Sequence, residues 1–141
     1  MNWDIRSLFS ILDPISRIYV FSLLLSAIWM IAIPLWVSYW LRRQRARGIQ
    51  SVEIIHGRLA RLEGHLRQFF TLNVISFCAC LSNQILQGIR LEEAITVNPN
   101  IDVVPPFDGL SAISQFGFVG LALIHSVRWF VSAKAMQYRD K

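Results

Sequence analysis

Three stretches of this chain contain no Asp, Glu, Lys or Arg: residues 18–41, 68–89 and 109–127, of 24, 22 and 19 residues. A mainly apolar run of about 18 or more residues without charge reads as a membrane-crossing helix, because about 20 residues rising about 1.5 Å each span the hydrocarbon core. The three runs account for 65 of the 141 residues. The remaining residues hold all the charge, so only 16% of the chain is charged, against about 25% in an ordinary soluble domain. The expected fold is therefore all-α: one integral membrane domain, residues 1–141, with three transmembrane helices. A soluble enzyme, a secreted disulfide scaffold and a disordered tail are excluded.

The charges set an orientation. Residues 42–67 carry seven arginines (Arg42, Arg43, Arg45, Arg47, Arg58, Arg61 and Arg67) against Glu53 and Glu63, a net +5 equal to that of the whole chain. Residues 90–108 carry Arg90 against Glu92, Glu93, Asp102 and Asp108, and residues 1–17 are balanced. The end of the chain is basic again, with Arg128, Lys134, Arg139 and Lys141 against Asp140. Basic short loops are retained in the cytoplasm. The N-terminus is then outside, 42–67 inside, 90–108 outside and the C-terminus inside. Arg42, Arg43, Arg45, Arg47 and Arg128 act as cytoplasmic anchors beside the anionic leaflet. Retention accounts for the arginine cluster without nucleic acid, and membrane lipids are the expected contacts.

Within that frame, residues 1–14 read as an outer amphipathic lead-in, with Trp3, Ile5, Leu8 and Phe9 for the interface. The first span, 15–41, closes in Trp36, Tyr39 and Trp40 before the arginines, an interfacial aromatic belt. Pro34 is placed to kink it. It is too long for a signal-peptide core and lacks a small-residue cleavage site, so it is expected to stay as an anchor. Gly48 marks a break. The second span is 68–89, the turn-rich outer loop 90–108, the third span 109–131 with Asp108 as its cap, and 132–141 a cytoplasmic tail. Ser111, Ser114, Gly117 and Gly120 permit close helix approach. Cys78 and Cys80, two residues apart on a helix, point to different sides and cannot pair.

The second helix carries the most informative pattern. Val52, Ile55, Leu59, Leu62, Leu66 and Phe69 repeat at spacings of 3 and 4, a heptad seam of the kind that joins helices in an oligomer. With no proline between them, seam and second span form one helix from about 50 to 90, projecting into the cytoplasm. Continuing the heptad into the membrane places Asn73, Ser76, Cys80, Asn83 and Gln87 on the seam. The stripe that is apolar in water becomes polar or small in lipid. An unpaired polar group facing hydrocarbon costs about 1–3 kcal/mol or more, so this stripe is expected to meet protein or water. Two readings remain: interhelical hydrogen bonding that only packs, or the lining of a pore. His125 is the ionisable side chain set well inside a span. It is either a proton relay or a neutral histidine hydrogen-bonded to another helix.

No phosphate-binding loop, zinc-ligand spacing or nucleophile elbow is present. The chain is expected to be no enzyme, with no cofactor and no metal.

The opening Ile5-Arg6-Ser7-Leu8-Phe9 is followed by a first span ending in Arg42-Arg43-Gln44-Arg45. A small-residue third helix runs from Gly109-Leu110-Ser111-Ala112-Ile113 through Gly117 and Gly120-Leu121-Ala122 to Tyr138-Arg139. In this layout the chain resembles the MotA/TolQ/ExbB proton-channel family, in particular its TolQ/ExbB branch. Where that family carries a glycine-rich stretch with a Gly-Thr pair, this chain reads Cys80-Leu81-Ser82-Asn83-Gln84. The resemblance implies a subunit of an oligomeric complex in the bacterial inner membrane, assembled with itself or with other membrane helices. Such complexes surround partner helices that supply a titrating Asp. With no carboxylate in its own spans, this chain would take that group from a single-span partner. The alternative is a structural or assembly subunit of a larger membrane complex.

Overall fold

The computed structural model describes Leu12 and residues 14–48, 51–100 and 106–139, without the side chains of 106–108. The proposed lead-in, 1–14, falls almost wholly outside these residues. The described chain forms three helices: α1 (Pro14–Arg47), α2 (Val52–Val97) and α3 (Pro106–Arg139). Each is long and apolar enough to cross a membrane.

The boundaries follow local chemistry. Pro14 and Pro106 open α1 and α3, where a proline's missing N–H is one of the groups a helix start leaves unpaired anyway. Because α3 begins at Pro106, Asp108 lies in its first turn and is not its cap. α1 runs on through the arginines to Arg47 and stops at Gly48, whose φ of 59° lies in the left-handed region. The Gly48 amide donates to the Gln44 carbonyl at 3.2 Å, closing the end as a glycine C-cap does. Pro34 is accommodated inside α1.

α2 has 46 residues, about 69 Å at about 1.5 Å per residue. It extends to Val97, so the first part of the expected outer loop is helical. Leu91, Glu92, Glu93 and Ala94 are good helix formers, and the Thr96 hydroxyl donates to the Glu92 carbonyl at 2.6 Å. Asn98-Pro99-Asn100 then ends the helix. α3 likewise continues to Arg139, through the segment expected as a tail.

The helices divide into two compact units. One comprises 14–23, 74–97 and 106–119, with Leu12. Its interior holds Leu12, Val20, Leu23, Phe77, Cys80, Ala112 and Ile113. Phe77 stacks on Tyr19 (centroids 6.4 Å apart) and meets Phe118 edge-on at 5.3 Å. Gly117 is buried against the Phe77 ring, which a Cβ at 117 would overlap. The close approach expected of the small residues occurs there.

The second unit comprises 24–73 and 120–139. Its core takes Met30, Val37 and Leu41 from α1, Ile55, Leu59 and Leu66 from α2, and Ile124, Val127, Val131, Ala135 and Tyr138 from α3. The α2 and α3 positions recur at three or four residues, or at their sum, so each helix presents one stripe to the core. The opposite faces are apolar too: Trp29, Leu35, Leu72 and Trp129 are exposed. Helices apolar on buried and exposed sides alike suit a lipid solvent, where packing comes from close fit and not from expulsion of water.

Candidate functional site

The first candidate feature lies in the second unit, on the heptad itself. Ile55, Leu59 and Leu66 are buried, Leu62 is half-buried, and Val52 at the helix start is exposed. The residues flanking the seam carry the chemistry. His56, Glu63 and Phe70 recur seven apart, one place after Ile55, Leu62 and Phe69, and all three meet α3. His56 Nδ1 lies 2.9 Å from the Ala135 carbonyl oxygen. A carbonyl only accepts, so that nitrogen carries the proton. The Phe70 and His125 rings are 5.7 Å apart, tilted by 48°. On the other flank, Arg58 sits 5.9 Å over the Trp40 ring of α1. The seam thus packs with its core positions and selects neighbours with its flanks, the division of labour found in coiled coils.

Glu63 is the centre of this arrangement. Arg128 Nε donates to its Oε1 at 3.1 Å, and Arg67 Nη2 reaches Oε1 at 3.3 Å and Oε2 at 3.4 Å. The Glu63 side chain is 15% exposed and that of Arg128 28%. Arg128, expected as a snorkelling anchor, also ties α3 to α2. His56 and Glu63 were not singled out from sequence. The signal that would have found them is their shared flanking position on successive heptads.

Of the other arginines expected as anchors, Arg42, Arg43 and Arg47 are exposed. Arg45 donates from Nε to the Tyr138 hydroxyl at 3.1 Å, with its guanidinium 6.0 Å from the Tyr138 ring.

The residues of the polar continuation differ in burial. Asn73 is half-buried and donates to the Phe69 carbonyl of its own helix at 2.9 Å. Beyond it the buried positions on α2 are Phe77, Cys80 and Gln84, while Ser76 and Gln87 are exposed and Asn83 is half-buried. A heptad repeat holds its face only if the helix supercoils. A straight helix of about 3.6 residues per turn drifts by about 20° per heptad. From Leu66, eighteen residues make about five whole turns and land on Gln84, whereas Asn83 is rotated by about 100°. Gln84 is 6% exposed, and its Oε1 and the buried Tyr19 hydroxyl have no hydrogen-bond partner among the described residues.

His125 is exposed on α3, one turn before Arg128. Cys78 is exposed and Cys80 is buried, and neither is in a disulfide among the described residues. Among the described residues no three His, Cys, Asp or Glu side chains gather as a metal site requires. Comparison with protein-family models, curated proteins and solved structures finds no match.

Proposed function

We propose that the chain is a non-enzymatic subunit of an oligomeric membrane complex. Its three helices cross the bilayer with the N-terminus outside, and residues 42–67 and the C-terminus lie on the cytoplasmic side. One observation carries this reading: His125 is exposed on α3 within a charge-free, mainly apolar run. Gln87, also exposed, repeats the pattern on α2. A serine in a span can bond back to its own helix, as the Ser126 hydroxyl does to the Ala122 carbonyl at 2.8 Å. An imidazole or primary amide facing hydrocarbon leaves polar atoms unpaired, at about 1–3 kcal/mol each. A second copy, another membrane helix or a water-filled seam removes that cost.

The mass of the protein extracted from membranes in mild detergent tests this. An oligomer, or a stoichiometric complex with another membrane protein, is expected. A strict monomer with no co-purifying partner overturns the proposal.

A second reading, proton conduction across the assembled seam, is favoured by His125, whose imidazole offers one nitrogen that donates and one that accepts a proton. It matches the layout resembling the MotA/TolQ/ExbB family and requires a partner helix with an intramembrane Asp. Replacing His125, Asn83 or Gln87 by Leu separates the two. Lost proton flux with the assembly intact supports conduction, and lost assembly supports a packing role.

A further inference from the structure

Between α1 and α3 in the second unit lies a cavity of about 150 Å³ lined by Ser38, Leu41, Arg42, Arg45 and Lys134. Three cations and a hydroxyl face one small volume over a buried leucine. The described part of this unit holds ten Lys and Arg against two acids, Glu53 and Glu63, and Glu63 is engaged by Arg67 and Arg128. No carboxylate among the described residues pairs with Arg42, Arg45 or Lys134. Arg45 is held in place: its Nε donates to the buried Tyr138 hydroxyl, leaving both terminal NH₂ groups of the guanidinium as donors. Lys134 is half-buried, 5.7 Å from the Phe130 ring. Its Gln137 contact, at 3.5 Å, is a long one. Converging uncompensated donors of this kind form an anion site.

The face of α1 that carries the site identifies the anion. Counting back from Arg45, Arg42 and Ser38 at steps of three and four leads to Leu35, Ile31, Ile28 and Leu24, all four exposed. A basic cavity therefore stands at the end of an apolar stripe. From Ser38 to Leu24 that stripe is about 21 Å long at about 1.5 Å per residue, of the order of one bilayer leaflet. A soluble phosphate compound has no use for the stripe, whereas a phospholipid lays its acyl chain along it. We propose that Ser38, Arg42, Arg45 and Lys134 bind the phosphodiester headgroup of an anionic phospholipid whose chain lies on Leu35, Ile31, Ile28 and Leu24. The proposal rests on the membrane reading and not on oligomerisation, so a monomeric protein that selects the lipid leaves it standing.

The test is native mass spectrometry of the full-length protein in mild detergent, with dioleoylphosphatidylglycerol or dioleoylphosphatidylcholine added. One retained phosphatidylglycerol is expected, in preference to phosphatidylcholine. Arg42→Gln and Lys134→Gln are each expected to weaken it about fivefold. Lys134→Arg keeps the charge and retains binding, which separates loss of the site from loss of the fold. Arg61→Gln, an equal change of charge away from the cavity, has no effect. Equal weakening by Arg61→Gln, or no preference for phosphatidylglycerol, overturns the proposal. So does binding of inorganic phosphate, titrated in a separate arm, without binding of phosphatidylglycerol.

Discussion

Arg128 and Glu63, 65 residues apart in the chain, are joined by a hydrogen-bonded ion pair, Nε to Oε1 at 3.1 Å. Both side chains are largely shielded, at 28% and 15% exposure. Along α2 the pair lies about two turns from both the His125–Phe70 ring contact and the His56–Ala135 hydrogen bond. It ties α2 to α3 within the second unit.

Glu63→Gln is expected to destabilise the protein by about 1–3 kcal/mol, because it leaves the Arg128 guanidinium partly buried without a charge partner. Arg128→Gln acts through the same bond. Unfolding followed by circular dichroism in detergent, in a double-mutant cycle, checks this. A coupling of about 0.5–2 kcal/mol is expected between the two positions, and strict additivity would show that the pair contributes nothing.

Leu59→Ala removes the most deeply buried residue of the heptad core, 2% exposed, and is expected to cost about 2–5 kcal/mol. Val52→Ala, at an exposed position of the same repeat, is expected to change stability by less than about 0.5 kcal/mol. Comparable losses at both sites would mean that a partner covers Val52.

Gly117→Val places side-chain carbon against the Phe77 ring and is expected to cost about 1–3 kcal/mol by overpacking. The double substitution Gly117→Val with Phe77→Leu is expected to recover part of that loss. Thermal melts of the single and double variants decide it.

Gln84→Leu removes a buried amide oxygen that has no partner among the described residues. Replacing such a group by an apolar one of similar size is neutral or stabilising, so the melting temperature should hold or rise. A fall of several degrees would reveal a hydrogen-bonding partner, water included, at that position.

The three helices were legible because each rests on a local property: a charge-free run for the spans, and Gly48 or Asn98-Pro99-Asn100 for the breaks. Helical continuation to Val97 and Arg139 was not, because polar segments of good helix formers carry no apolar signal. The core face of α2 was legible for Ile55, Leu59 and Leu66. Past Asn73 the repeat names the buried Cys80 but not Phe77 or Gln84, because a 3.5-residue repeat and a 3.6-residue helix diverge. Of the stripe, Ser76 and Gln87 are exposed in the single chain, while Phe77 and Gln84, off the stripe, are buried.

Composition and spacing along the chain were enough to establish helices of membrane-crossing length and an amphipathic seam, since both depend on the intrinsic period of one helix and on where its charges stand. Which polar side chains meet was decided by packing. Glu63 finds Arg128, His56 finds the Ala135 carbonyl, and Arg42 and Arg45 share a cavity with Lys134, because those encounters depend on how one helix is rotated and shifted against the next. No single helix carries that information in its own sequence.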